Sequence, residues 1–395
     1  MKKIILFILE IIFHVLPVSK NKAYFRAFGG MYADNPKYIS EKLHELAPDI
    51  EIYWELQRGS DLTDIPDYIN VVLQDSYFRP FYKNRCKIIV ETGAGYYLAY
   101  IPNRIKFTIE KLLLNNKRQY NMSTWHGTPL KYIGAQIRGN EKWTKFNVFT
   151  TSNCILSGSR YLTEILHKAF VGIAPIYEFG TPRTDILFKQ TLESNNEVKI
   201  KLGLPVDKNI ILYAPTFRDY SLQDSGIEQL KMLDFDKLFK VLNERFGGNW
   251  AFVMRAHPMI KNEINQYIYN LENENVINGN RHQDMMEYLA ASDILLSDYS
   301  SSVFDYALSG RRCMLFAHDK ESYVSEDRGL YEDMSILPFS FSNSFEELIN
   351  NILNYDDEVE EKKVHDFLLN IGCIEDGHAA ERCVNHLLRS IEYES

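Results

Sequence analysis

Three segments set far apart in the chain carry residue types suited to holding and breaking a phosphate ester. They are Trp125-His126-Gly127-Thr128-Pro129, Arg255-Ala256-His257-Pro258, and Ser297-Asp298-Tyr299-Ser300-Ser301-Ser302 followed by Asp305. An imidazole titrates near neutral pH, so His126 or His257 can take a proton from an attacking hydroxyl or, when charged, stabilise a phosphate. The serines supply hydroxyls and backbone N–H groups at the expected start of a helix, where unpaired donors attract anions. One serine alone would read as a helix N-cap, and Asp305 alone as a residue interacting with the same helix end. Three consecutive serines exceed what a cap requires, and the set points to phosphoryl chemistry.

Such groups need rigid strand ends behind them. In the first half, residues 23–28, 51–56, 68–73, 87–90, 119–125 and 148–151 read as strands, separated by helical stretches such as 36–46 and 161–170. In the second half, 210–214, 250–255, 294–296 and 313–317 read as strands, with helices at 234–246 and 285–291. That alternation predicts α/β halves with parallel sheets, and it places His126, His257 and the serines just beyond strand ends. Gly29-Gly30 reads as a turn. The polar stretch 190–199 reads as the interdomain linker, and a closing helix is expected at 377–391.

The motifs also carry a family resemblance. Trp125 to Lys131, Gly180-Thr181-Pro182-Arg183-Thr184-Asp185, Tyr213-Ala214-Pro215-Thr216-Phe217-Arg218-Asp219, Arg255 to Pro258 and Leu296 to Tyr306 are similar to the CDP-glycerol glycerophosphotransferases of teichoic acid and capsule synthesis. Arg328-Gly329-Leu330-Tyr331 and Asp376-Gly377 with Arg382 fit as well. Thr184 stands where the family pattern has Asn.

The resemblance implies a GT-B-like fold, two Rossmann-like α/β domains facing each other across a cleft. Expected boundaries are a membrane-interface helix at 1–20, an acceptor domain at 21–190, a donor-binding domain at 200–375, and a terminal helix at 376–395 packing back on the first domain. It implies transfer of glycerol phosphate from CDP-glycerol to a hydroxyl of a polyprenyl-diphosphate-linked acceptor, or its growing polymer, releasing CMP. His126 matches the proposed base, with His257 as the second catalytic histidine. Trp125, Gly127, Thr128, Pro129, Arg183, Pro215, Thr216, Arg218, Arg255, Ser300, Ser301, Ser302 and Asp305 match or adjoin substrate-binding positions. CDP-ribitol as donor, or a nucleotide sugar in a GT-B glycosyltransferase, are the alternatives. No cofactor or resident metal is implied.

Charge agrees with an anionic substrate. The net charge is −9, yet residues 101–170 hold 11 Lys or Arg against 3 Glu, a local excess of +8. That field suits a diphosphate donor or an anionic bilayer. No nucleic-acid motif accompanies it, so nucleic acid is not an expected partner. Residues 4–16 are apolar except Glu10 and His14, too short a run to cross a bilayer, and Lys2, Lys3, Lys20, Lys22 and Arg26 flank it. An interfacial anchor at the cytoplasmic face of the membrane is expected, with a buried first helix or a signal peptide as rivals. Cys86, Cys154, Cys313, Cys373 and Cys383 form no C-x-x-C pair and read as reduced thiols.

Overall fold

The apolar runs assemble into two parallel sheets. The computed structural model describes residues 2–93, 119–137, 152–170, 173–189, 191–216, 227–256, 261–320, 323 and 329–392. The chain divides into a first unit of residues 1–127, 142–185 and 374–395 and a second of residues 128–141 and 186–373.

The strands of the first unit are β1 Ser19–Arg26, β2 Glu51–Leu56, β3 Ile69–Leu73, β4 Cys86–Glu91, β5 Tyr120–Ser123, β6 Cys154–Leu156 and β7 Ile176–Tyr177. They lie in the order β3-β2-β1-β4-β5-β6-β7, every pairing parallel. The second unit holds β8 Asn209–Ala214, β9 Trp250–Met254, β10 Val276–Asn278, β11 Ile294–Ser297, β12 Arg312–Phe316 and β13 Ser340–Ser342, ordered β10-β9-β8-β11-β12-β13 and again parallel. Each sheet is doubly wound, the strand order reversing between β1 and β4 and between β8 and β11. Ligands of such sheets bind beyond the carboxyl ends of the strands near these reversals.

Burial on both faces explains why the central strands are nearly continuous apolar runs. In the first unit Phe25, Trp54, Ile88 and Val90 pack with Ile39 and Leu43 of the helix Asp34–Leu46, and with Cys383, Val384 and Leu387 of the helix Ala379–Glu392. In the second, Tyr213, Phe252, Met254 and Leu296 pack with Leu238 and Leu242 of the helix Phe235–Phe246 and with Leu348 and Ile352 of the helix Phe345–Leu353. Each such side chain contributes about 1.5–3 kcal/mol.

Several elements differ from their expected extent. β1 starts at Ser19, so the segment after the N-terminal helix already belongs to the sheet. Residues 148–151 lie outside the described residues, and the strand in that part of the sheet is β6. The expected linker 190–199 is a helix, Leu192–Leu202, in the second unit. A capping box between Thr191 and Ser194 starts it, Gly203 in the left-handed conformation ends it, and Lys199 and Leu202 anchor it. Residues 128–141 go with the second unit because Lys131 bridges to Leu330 and Tyr132 donates to the Gly329 carbonyl.

The charge count near the N-terminus also needs correction. Arg26 is buried between Glu55 and Glu91, at 4.0 and 3.9 Å, and Lys22 is paired with Glu51 at 2.5 Å. Neither is an unengaged surface cation. Eight of the eleven basic residues of 101–170 lie outside the described residues.

The helix Lys2–His14 is neither wholly buried nor detached. Glu10 accepts from Asn84 at 3.0 Å and lies 3.9 and 3.8 Å from Arg79 and Lys83, while Phe13 meets Phe81 edge-on. Ile5, Ile8, Ile11, Ile12 and Val15 are exposed. Among the described residues no helix is long and apolar enough to cross a membrane.

Candidate active site

Beyond the carboxyl end of β5 the chain turns sharply at Trp125, which has φ 54°, and delivers His126. Asp34, the first residue of the helix Asp34–Leu46, has φ 62°, and these are the only described non-glycine residues in the left-handed region. Such backbone costs energy and persists where surrounding contacts hold it. Those contacts are present. Asp34 Oδ1 accepts from Arg183 Nη1 at 2.8 Å and from the Asn35 N–H at 2.8 Å. Asp34 Oδ2 lies 3.5 Å from His126 Nδ1. Arg183 also donates to the His126 carbonyl.

Asn35, fully buried, ties the two loops together. Its amide donates to the Trp125 carbonyl at 3.0 Å, and its oxygen accepts from the Arg183 N–H at 3.0 Å. The Trp125 ring meets Phe170, and Phe28 stands edge-on to the His126 ring at 5.6 Å. Gly29-Gly30 matters here: a Cβ on Gly30 would stand 2.7 Å from the Gln57 nitrogen, so this turn behind Phe28 closes only without one. Burial alone would raise the Asp34 pKa, but Arg183 and His126 outweigh it and hold the carboxyl well below the usual range. The imidazole of His126 is 41% exposed.

Gly127, with φ 84°, ends the first unit's part of this loop, and Thr128 and buried Pro129 begin the second unit's segment. Thr184 is buried, and its hydroxyl lies within hydrogen-bond reach of the Thr181 carbonyl at 2.8 Å and of Glu375 Oε2 at 3.3 Å. Asp185 accepts from the N–H groups of Ala379 and Ala380 and so starts the last helix.

In the second unit the register pairs Ser297 with Ala214, bringing the loops after β8 and β11 side by side. Fully buried Asp298 joins them: one carboxylate oxygen accepts from the N–H of Thr216 at 2.8 Å and of Tyr299 at 2.6 Å. Pro215 is buried beside it. The helix after the serines, Ser302–Ala307, has six residues, so its dipole is small. Ser301 is its N-cap without a side-chain cap bond, whereas Ser300 Oγ accepts from the Ser302 N–H at 3.3 Å and the Ser302 hydroxyl at 2.9 Å. Asp305 is buried in the first turn of that helix.

Arg255, expected as the last residue of its strand, directly follows β9, and its guanidinium is engaged by carbonyls. It donates to Gly279 at 3.0 Å, His282 at 2.6 Å and Gln283 at 2.8 Å, over the ring of Tyr288. This geometry orders the 279–283 loop. His257 and Arg218 lie outside the described residues. Among the described residues no group of three or more His, Cys, Asp or Glu is placed to hold a metal ion.

Sequence reasoning missed Asp34, Asn35 and Asp298 as site residues. Asp34-Asn35-Pro36 reads as an ordinary helix start, and the only signal was two capping residues where one suffices. Asp298 sat inside the serine motif but drew less notice than the hydroxyls.

The sequence model of the CDP-glycerol:poly(glycerophosphate) glycerophosphotransferase family matches residues 8–389. The teichoic acid glycerol-phosphate transferase of Staphylococcus aureus is 28% identical over 387 residues, 92% of each chain. The teichoic acid poly(glycerol phosphate) polymerase of Staphylococcus epidermidis is 32% identical over 326 residues, covering 78% of this chain and 42% of that protein, so the chain spans well under half of that relative. The structure of the wall teichoic acid polymerase TagF soaked with CDPG superposes with a TM-score of 0.82 at 26% identity, over all of this chain and 94% of that one. Two doubly wound parallel-sheet units are the GT-B-like class, and with a match from residue 8 to residue 389 this chain belongs to the CDP-glycerol:poly(glycerophosphate) glycerophosphotransferase family.

Proposed function

We propose that the chain transfers glycerol phosphate from CDP-glycerol to a hydroxyl of a lipid-linked saccharide or poly(glycerol phosphate) acceptor, releasing CMP, in teichoic acid or capsule synthesis. The observation that carries the proposal is His126, held by Asp34 and Arg183 beyond the carboxyl end of β5 with part of its ring open to solvent. That is the setting a general base requires. His126 takes the proton of the acceptor hydroxyl as its oxygen bonds to the phosphorus that carries glycerol. The bond from that phosphorus to the bridging oxygen breaks, and the electron pair leaves on CMP.

In the second unit, Ser301, Ser302 and the N–H groups of their loop are the donors for the diphosphate, acting chiefly by electrostatic positioning. Pro215, Thr216 and Asp305 complete the wall for nucleotide or glycerol, and His257 and Arg218 belong to the same proposal. Arg255 acts through the 279–283 loop that it orders. The exposed isoleucines of the helix Lys2–His14 are proposed to rest in the bilayer interface on the cytoplasmic face, where a polyprenyl-diphosphate-linked acceptor would be met. Purified protein offered CDP-glycerol, CDP-ribitol and a nucleotide sugar with one lipid-linked acceptor is expected to turn over CDP-glycerol fastest, read as CMP from the two CDP-alcohols and as nucleoside diphosphate from the sugar donor. Faster turnover of either other donor would replace this reading with that of the preferred substrate.

A further inference from the structure

We infer that Asp34 is a positioning residue that keeps the proton of neutral His126 on Nδ1, so that Nε2 is the basic nitrogen, and that Arg183 and Asn35 hold Asp34 in the orientation this requires. The inference rests on His126 being the base.

The geometry separates the two carboxylate oxygens. Oδ1 receives two donors, Arg183 Nη1 and the Asn35 N–H, each at 2.8 Å. Oδ2 is turned to His126 Nδ1 at 3.5 Å. A carboxylate only accepts hydrogen bonds, so the ring nitrogen facing it is stabilised as the N–H. The other nitrogen, at the far edge of the ring, is then the lone-pair site, and the 3.5 Å separation is of the kind that tightens when substrate binds. A third member that orients an imidazole is a recurring device for activating oxygen nucleophiles.

The backbone supports a placed carboxylate over an incidental ion pair. Asp34 sits at φ 62°, a conformation that Asp and Asn tolerate better than other side chains. It is the first residue of the helix Asp34–Leu46, and Asn35, the second, bonds the Trp125 carbonyl, so the aspartate and the histidine loop are fixed by the same two residues, Asn35 and Arg183.

Asp34→Asn is therefore an informative variant. Asn keeps the backbone conformation, and the two donors at the Oδ1 position demand its amide oxygen there. The amide NH2 is left facing His126 Nδ1, which favours the proton on Nε2 and removes the base. Expected for Asp34→Asn is a fall in kcat for CMP release of about a hundredfold to ten-thousandfold, with KM for CDP-glycerol changed less than about threefold. Adding it to His126→Ala should cost nothing further, since the two act as a unit. Nitrogen-15 NMR of histidine-labelled wild-type protein, with His126 assigned by loss of its signal in His126→Ala, should show neutral His126 protonated at Nδ1. This readout stands even if the Asn variant folds poorly.

Wild-type His126 protonated at Nε2 overturns the inference. So does Asp34→Asn turnover within threefold of wild type while His126→Ala is inactive, which leaves the base assignment standing. If His126→Ala itself turns over normally, the base assignment falls and this inference with it.

Discussion

The two α/β units share one order over six strands, the first adding a seventh at its edge, and solve different problems at their strand ends. The first surrounds a histidine with a carboxylate, a guanidinium and two residues of strained backbone. The second uses hydroxyls, backbone N–H groups and one buried aspartate that ties its loops together. A base must have one orientation and one protonation state, which a charged network of defined geometry supplies. An anion holder needs many donors pointing outward, and Asp298, accepting from the Thr216 and Tyr299 N–H groups, ties together the loops that carry them. The comparison predicts that first-unit changes act on turnover and second-unit changes on donor binding and loop order.

The largest second-unit effect is expected from Asp298→Ala. It removes a buried acceptor of two N–H bonds, each worth about 1.5–3 kcal/mol to a charged group. Urea unfolding should show a loss of about 3–5 kcal/mol and calorimetry a weaker affinity for CDP-glycerol. Unchanged stability would show that the loops do not depend on it.

Next in size is the serine pair. Replacing Ser301 and Ser302 together by Ala should weaken CDP-glycerol binding by about 1.5–3 kcal/mol for each lost hydrogen bond, while kcat at saturating donor changes little. A collapse of kcat with unaltered affinity would erase the distinction between the units.

A smaller effect sharpens the comparison through pH. The folded pKa of Asp34 is depressed, so its contribution to stability is present above the unfolded carboxylate value of about 3.9 and is lost as pH falls below it. The stability difference between wild type and Asp34→Asn, measured in urea at a series of pH values, should therefore shrink on acidification through about pH 4. A difference that grows would contradict the sign of that shift.

The smallest expected effect on chemistry is that of removing residues 1–18. Turnover on a water-soluble acceptor should persist while binding to anionic vesicles weakens, and binding by the intact chain should weaken with salt. With Lys22 paired and Arg26 buried, the salt dependence rests on fewer cations than the raw count of the segment indicates. Undiminished vesicle binding by the shortened chain would move the membrane contact elsewhere.

Much of this architecture was legible because buried parallel strands leave unbroken apolar runs: the stretches read as strands at 210–214, 250–255 and 294–296 are the strands Asn209–Ala214, Trp250–Met254 and Ile294–Ser297. The histidine was legible because Trp125 to Pro129 combines an imidazole with backbone-restricting neighbours. Asp34 was not, since Asp-Asn-Pro has a sufficient local explanation as a helix start and its partner Arg183 lies 149 residues away. Arg26 misled for a related reason: a cation near a terminus looks solvated until both faces of its strand are found covered. The helix Leu192–Leu202 was hidden by a polar composition with little amphipathic pattern, its definition coming from its caps.

The central claim, that His126 is the base for attack on CDP-glycerol, is tested most directly by measuring CMP release and donor affinity side by side in folded His126→Ala. CMP release with acceptor present should fall by about two to four orders of magnitude, while the calorimetric Kd for CDP-glycerol stays near the wild-type value. Release at the wild-type rate would contradict the claim, and unchanged kcat with weakened affinity would make His126 a donor-binding residue instead.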